Sequence, residues 1–537
     1  MIAVSNGWIA AHKQTLLPET FIEITYAATD PSLAEAATVT ANSEAYYSNV
    51  SNLVSDLDKR GTKLATLERG LWGLDGSYVY LDGTPTDPGY VSAVISDASG
   101  AFADTIPTIT INFSLIQVEA IPGLTITWST TYGEWATSFR VTAYNAGTQV
   151  AQTTVADNTS TTSILWLAME NFTQITIEIL GWSHPNHRAR CSKIFPGVTT
   201  IYHKEDLMGF EHSQSVDLLS AALPKNEITF RLRNDDDRWN PDNPVGIERF
   251  LLERQELRVR YGMTVDGETE WIKGGTFWLS EWSTPANGLE ASFTARDLIE
   301  FMHETYTGTR SGTLYEVALA AFTQAGLPLQ DNGDEHYVID TVLQGYTTDF
   351  TEDTTSYTIA EILQMVAHAG NCVFYSDRDG VVRIEAWNTG YSGYMIDQSI
   401  SYAHPEYSFN KPLKSISVAY GEDLRAVVTV ADRGEVQTVD NPLLVTREDA
   451  LRVGEKAREV LESRKTLSGE FRADLRLDAL DPIIVTSKYA SNIIAITDIQ
   501  YSTTGGAFKG SYTGRVVSLA LQTEKLYSGE IYAGEIG

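Results

Sequence analysis

The sequence predicts a mainly β protein with minor α, divided into several domains. Its 537 residues exceed what one core serves and point to about three or four domains. Apolar residues alternate with polar ones over short runs closed by Gly, Pro, Asn and Asp, the period of half-buried antiparallel sheet. Thr, Ser, Gly, Val and Tyr are plentiful and long helical patterns are few. Hydrophobic content of 43% with 10% aromatics is ample for packed cores and excludes wholesale disorder.

Taken in order, the first element is a strand over Thr20–Tyr26, followed by a polar, Ala/Ser-rich stretch to Lys63. From Lys63 to Pro196 come ITINFS, GLTITWST, SFRVTAYNAG, TSILWL and QITIEILGW, each set off by turn residues. Short strands at that cadence form a β-sandwich or jelly roll. The run NEITFRLRNDDDRWNPDNPVG puts Ile228, Phe230 and Leu232 on one face of a strand that stops at an Asn/Asp cluster and an Asn-Pro turn. Two strands then flank the Pro285–Gly288 turn, and an amphipathic segment starts at Thr294.

A helix follows Ser311–Thr313, with Leu314, Val317, Ala318 and Ala321 on one face. Another spans TIAEILQMVAHAG, with Thr358 as N-cap and Gly370 as its stop. NCVFYSDRDGVVRIEAW is a hairpin turning at Asp377–Gly380. Residues 405–522 form a second β-rich unit with one helix. That helix is capped by Thr446 with Asp449 three residues on, and its stripe is Leu451, Ala457, Val460 and Leu461. Its Arg and Lys residues, Arg452 among them, interleave with Glu on a solvated face. A last hairpin turns through Gly505-Gly506, and Tyr527–Ile536 is a tandem pair of five-residue units at a frayed end.

These words, in this order, resemble the hub and tail-tip proteins of tailed bacteriophages and prophages. The resemblance rests on N-D-D-x-x-x-N-P from Asn234 to Pro241 and G-x-F-x-L-x-x-W from Gly275 to Trp282. Near the C-terminus, an R-x-D-P word appears as Arg472-Ala-Asp474-Leu475, with Pro displaced to Pro482. L-E-x-x-x-W-x-L-D-G-S from Leu67, G-L-T-I-T-W from Gly123 and I-x-I-x-I-x-x-W from Ile175 are similar to the galactose-binding-like modules that such proteins carry as insertions. The resemblance implies two hub-type β-barrels, a small α/β connector and an inserted jelly roll. The corresponding ranges are 1–62 for the opening strand and linker of the first barrel, 63–196 for the insert and 197–305 for the rest of that barrel. The connector takes 306–404, the second barrel 405–522 and the tail 523–537.

It further implies a structural virion protein, assembled in the bacterial cytoplasm, that forms a ring joining the tail tube to a tip or spike. A homotrimer is favoured, since two barrels per subunit would meet six-fold symmetry. The implied partners are a distal-tail or tail-tube ring, a tape-measure protein and a spike or fibre. The alternative is a carbohydrate-binding adhesin in which the insert meets host-wall glycan.

Net charge is −31, from 70 acidic and 39 basic residues with no basic cluster, which argues against nucleic-acid binding. No apolar run is long enough to span a membrane, and residues 1–20 lack the pattern of a signal peptide. No catalytic word such as G-x-S-x-G or H-E-x-x-H occurs, so neither an enzyme nor a cofactor is expected. His184 and His187 stand three residues apart near Cys191, but Pro185 and the lack of further ligands favour a loop over a metal site. Asn234–Asp237 offers hard oxygens suited to calcium, yet an Asx-bonded turn explains it more simply. Cys372 reads as a buried small hydrophobe. Trp128, Trp166 and Trp182 are assigned to the sandwich core. Tyr132 and Trp135 flank Gly133 in a loop, and Asp87 lies in the Pro85–Pro88 turn. These three are the candidates for a glycan-binding edge, where rings stack on a sugar and a carboxylate holds its hydroxyls.

Overall fold

The computed structural model describes residues 1–517 apart from 15–17, 29–32, 34–35, 52, 55–62, 67, 69, 72, 74, 80–88, 103, 119–120, 244–249, 252–253, 285–287, 328–334, 351–355, 388–392, 422–423 and 505. The chain is mainly β, with three large cores. Asp87, the tip of the 285–288 turn, Gly505 and the tandem tail lie outside the described residues.

The main sheet has thirteen strands. Eleven follow one hydrogen-bonded path: Val198–His203, Thr20–Ala28, Glu256–Val265, Glu268–Ser283, Glu290–Arg296, Lys225–Arg233, Leu207–Ser215, Ser491–Thr503, Lys509–Val516, Lys465–Arg472 and Glu406–Phe409. Strand 20–28 lies between two strands from beyond the insert, pairing Ile24 with Tyr202 on one side and with Val259 on the other. The strands assigned to two barrels are therefore continuous. Leu207–Ser215 pairs directly with Ser491–Thr503, His212 opposite Tyr501. One face buries a common core that includes Ile24, Phe230, Phe277, Phe471 and Tyr501.

Alternation explains each strand. In Lys225–Arg233, Ile228, Phe230 and Leu232 point into the core while Thr229, Arg231 and Arg233 point away. The Asn/Asp cluster that ends this strand is a hydrogen-bonded turn. Asn234 is buried; its Oδ1 accepts from the Trp239 N–H at 2.8 Å and its Nδ2 donates to the Gly288 carbonyl at 3.1 Å. The turn thereby seats Trp239 against Phe293, ring centroids 4.8 Å apart.

The insert packs a five-stranded sheet, in the order Ala37–Ala41, Thr108–Gln117, Phe172–Trp182, Ala136–Asn145 and Thr148–Val155, over a three-stranded one of Lys193–Phe195, Ile121–Thr127 and Thr162–Met169. It begins earlier than expected. Ala37–Ala41 pairs with Thr108–Gln117, and Leu33, Val39, Leu53 and Val54 belong to the sandwich core. The Ala/Ser-rich composition hides this strand, because Val39 is its one fully inward side chain. Trp128 and Trp182 are buried, as expected, but Trp166 is 50% exposed. Ser163, Leu165 and Met169 take the inward positions of its strand, so parity turns Trp166 outward.

The third core is α/β. Helices Leu314–Ala325 and Ile359–Ala369 each start with a reciprocal capping box, Thr313 with Glu316 and Thr358 with Glu361. The hairpin of Val373–Ser376 and Val382–Glu385 turns at Asp377–Gly380, as the sequence predicts. Here residues 413–461 depart from their expected place. Strands Leu413–Tyr420, Leu424–Thr429 and Glu435–Val439 and most of helix Arg447–Leu461 pack into this core; only Val460, near the helix end, reaches the second half, against Ala495. The helix buries Ala450, Val453, Gly454, Ala457 and Val460, while Leu451 and Leu461 flank that stripe half-buried. Gly454 sets the contact: a Cβ there would stand 2.7 Å from Val428 Cγ2. Arg452 is not solvated as expected. Its guanidinium lies 3.7 Å from the centre of the Tyr346 ring and donates to the Ala369 carbonyl at 2.7 Å.

The amphipathic segment expected from Thr294 starts later, since Thr294 is still in its strand. A short 3-10 helix, Leu298–Met302, follows Asp297, whose Oδ1 accepts the Ile299 N–H at 3.0 Å. Its other oxygen has no hydrogen-bond partner among the described residues, and burial raises the carboxyl pKa to about 7. A folded-state pKa above the unfolded value contributes stability that is complete below about pH 4 and is lost as pH rises through about 7. Asp297→Asn keeps the cap and removes the titration. The variant should flatten the stability–pH curve between about pH 4 and 7, and be more stable than the parent above it by on the order of 1–3 kcal/mol. Urea denaturation at stepped pH checks this; parallel curves for the two proteins would refute it.

Candidate assembly interface and buried polar clusters

Two polar clusters are built into the cores. The first lies where the two halves of the main sheet meet. His212 is buried between them; its Nε2 donates to Asn226 Oδ1 at 2.9 Å, which leaves Nδ1 to accept from the Tyr261 hydroxyl at 2.8 Å. Burial first, then the nearby Arg378 charge, lower the His212 pKa to about 4, so the imidazole is neutral. Arg378 arrives from the hairpin turn of the α/β core. Its guanidinium donates to Asp478 Oδ1 at 2.7 Å and to the carbonyls of Lys273, Leu475 and Leu477 at 2.9, 2.7 and 2.8 Å. One side chain thus joins the first half of the sheet, the second half and the α/β core. Beside it, Asp474 holds Arg476 through two oxygens, and Arg472 donates to the His12 and Gln14 carbonyls at 2.5 and 2.8 Å. The R-x-D word therefore fastens the helix Asn6–His12 under the second half.

The second cluster lies inside the sandwich. Glu134, 1% exposed, takes the Trp182 indole N–H at 2.9 Å, His187 Nδ1 at 2.6 Å and Arg190 Nη1 at 3.4 Å. Nη2 of Arg190 pairs with buried Glu68, which also accepts the Arg188 N–H at 2.8 Å. His187 thus serves as a core partner. His184 stacks on it, centroids 5.5 Å apart, and among the described residues no three His, Cys, Asp or Glu side chains gather as metal ligands. Burial pushes the Cys372 thiol up to about 12 and raises that of Cys191 further, so neither is a ready nucleophile.

The described glycan candidates sit on the rim of this cluster and are engaged. The Tyr132 ring faces the Arg190 guanidinium at 4.7 Å, and its hydroxyl is bonded to the Leu64 backbone. Trp135 donates its indole N–H to the Asn158 carbonyl at 2.9 Å. Sequence reasoning missed Glu68, Glu134 and Arg190: alternation between the core residues Ala189 and Cys191 would turn Arg190 outward, whereas the strand shifts register here and buries all three.

No protein-family model and no curated protein sequence matches the chain. Among solved structures its neighbours include phage tail proteins and a component of a type VI secretion system. It is similar to the 43 kDa tail protein of prophage MuSo2 from Shewanella oneidensis, at 13% identity over 59% of this chain and 94% of that one, TM-score 0.40. The tail protein from Neisseria meningitidis matches at 9% identity over 60% and 94%, TM-score 0.40. Prophage tail protein gp18 from Listeria monocytogenes matches at 10% over 62% and 95%, TM-score 0.37.

The face of the main sheet away from the core is polar and largely neutralises itself. Arg260 pairs with Glu23, Arg231 with Glu290, Lys509 with Glu470, and Arg296 with both Glu227 and Glu281. Such a face suits contact with water or a polar partner, and among the described residues these Arg and Lys side chains are paired with carboxylates. No helix among the described residues is long and apolar enough to cross a membrane.

Proposed function

We propose that the chain is a structural subunit of a phage tail tip or baseplate hub, carried in the virion and working by assembly. Copies close a ring, with a trimer favoured, that joins the tail tube to a tip or spike. A tube or distal-tail ring, a tape-measure protein and a spike or fibre are its partners. The observation that carries this is the unbroken path from Val198–His203 to Glu406–Phe409: two half-sheets share one core, and between the two ends the other face is rich in ion pairs. A wall of that kind suits lateral repetition. The order of sequence words from Asn234 to Asp474 supports the same reading. In the two polar clusters the buried carboxylates of Glu68, Glu134 and Asp474 are occupied by Arg, His or Trp side chains. Tyr132 and Trp135 hold internal partners, so this reading takes no support from a glycan contact.

Native mass spectrometry and light scattering of the full chain test the proposal. A discrete cyclic oligomer, expected as a trimer, supports it. A monomer that persists at the highest attainable concentration overturns it.

A further inference from the structure

Unpartnered apolar side chains gather at both ends of the main sheet. At one end Ile201 projects from the outermost strand, 45% exposed. The sandwich strand Thr162–Met169 lies alongside. Ile164 stands opposite Thr125, whose hydroxyl accepts the Thr199 N–H at 3.1 Å, and Trp166 stands opposite Gly123 on the same face. Ile164, Trp166 and Ile201 therefore form one patch across the sandwich and the sheet edge, each about half exposed. At the other end the four residues of Glu406–Phe409 are all exposed. The Asn410 N–H bonds to Arg464, so alternation leaves the backbone groups of Tyr407 and Phe409 on the open side. Phe409 is 61% exposed, and the Tyr407 hydroxyl reaches Ser487 Oγ at 3.3 Å, beside the turn that carries Tyr489.

We propose that these two patches meet between copies of the chain: the open 406–409 edge of one copy, with Tyr407, Phe409 and Tyr489, seats against Ile164, Trp166 and Ile201 of the next. This rests on the assembly reading above and names its contact surface. Three facts favour a second copy as the occupant. The patches are different surfaces at opposite ends of one sheet, so their contact is head-to-tail and repeats around a ring. Two chains of net charge −31 repel, so they must meet where charge is absent, and all six side chains are uncharged. Each patch offers a large aromatic anchor, and the outer edge of strand 406–409 pairs with no strand among the described residues, leaving backbone that strand addition completes.

The test uses full-length Trp166→Asp and Phe409→Asp. Both positions are exposed, and unchanged circular dichroism and melting confirm that each variant folds. The parent should oligomerise, and each variant alone should dissociate at least tenfold more readily in analytical ultracentrifugation. An equimolar mixture should form a dimer of one copy of each, because one intact pair of patches remains between them. If the parent oligomerises but Trp166→Asp does so equally well, or the mixture gives no mixed dimer, the inference is overturned and the assembly reading stands. If Phe409→Asp alone dissociates the protein, the edge pairs with itself and the inference again fails. A monomeric parent overturns both.

Discussion

Arg378→Ala should lower the stability of the main sheet and α/β core by about 3–5 kcal/mol, the cost of removing one member of a buried ion pair. The loss is more than one pair. Asp478 and three backbone carbonyls lose their donor together, each at a place where three chain segments converge. Arg378→Lys keeps the charge but cannot fan four hydrogen bonds in different directions, so it should recover less than half of the loss. Denaturant unfolding followed by Trp fluorescence reads the effect. A second readout separates this from simple loss of packing: the His212 pKa, held near 4 partly by the Arg378 charge, should rise in Arg378→Ala, as seen by NMR. An alanine variant within about 1 kcal/mol of the parent would show that water replaces the guanidinium without cost.

Glu134→Ala should destabilise the sandwich by a similar amount, about 3–5 kcal/mol, for the converse reason. It leaves Arg190 with one carboxylate where it had two, and strips the Trp182 indole and His187 of their acceptor inside a closed core. Because the sandwich has its own core, calorimetry should show one transition falling by on the order of 10 °C while the others stay in place. Glu134→Gln keeps an acceptor for Trp182 and loses the anion, so it should fall between. A uniform shift of all transitions would mean that the sandwich does not unfold as its own unit.

Much of the fold was legible because alternation and capping are local. Ile228, Phe230 and Leu232, the Thr313 and Thr358 caps and the Asp377–Gly380 turn follow from neighbours within a few residues. What was missed depends on distant partners. Whether Trp166 faces in or out turns on register, which one residue reverses. The 447–461 helix could have covered either neighbouring sheet; Gly454 chose, by letting backbone approach Val428. Arg378 sits in a D-R-D-G turn, a place where Arg usually meets water, and nothing nearby in sequence announces the carbonyls it serves. Of the glycan candidates, Tyr132 and Trp135 stand beside Gly133 as the sequence has them, and the sequence did not disclose that Arg190 and Asn158 engage them.

Strand Thr20–Ala28 has a consequence for biosynthesis. Both its neighbours, Val198–His203 and Glu256–Val265, leave the ribosome long after it does. The sandwich core is complete at Ile194, before either neighbour has been translated. The intervening module can therefore mature first and shorten the effective loop that must close, lowering an entropic cost that grows with the length of free chain. On a nascent chain, the first strand made is among the last to find its place.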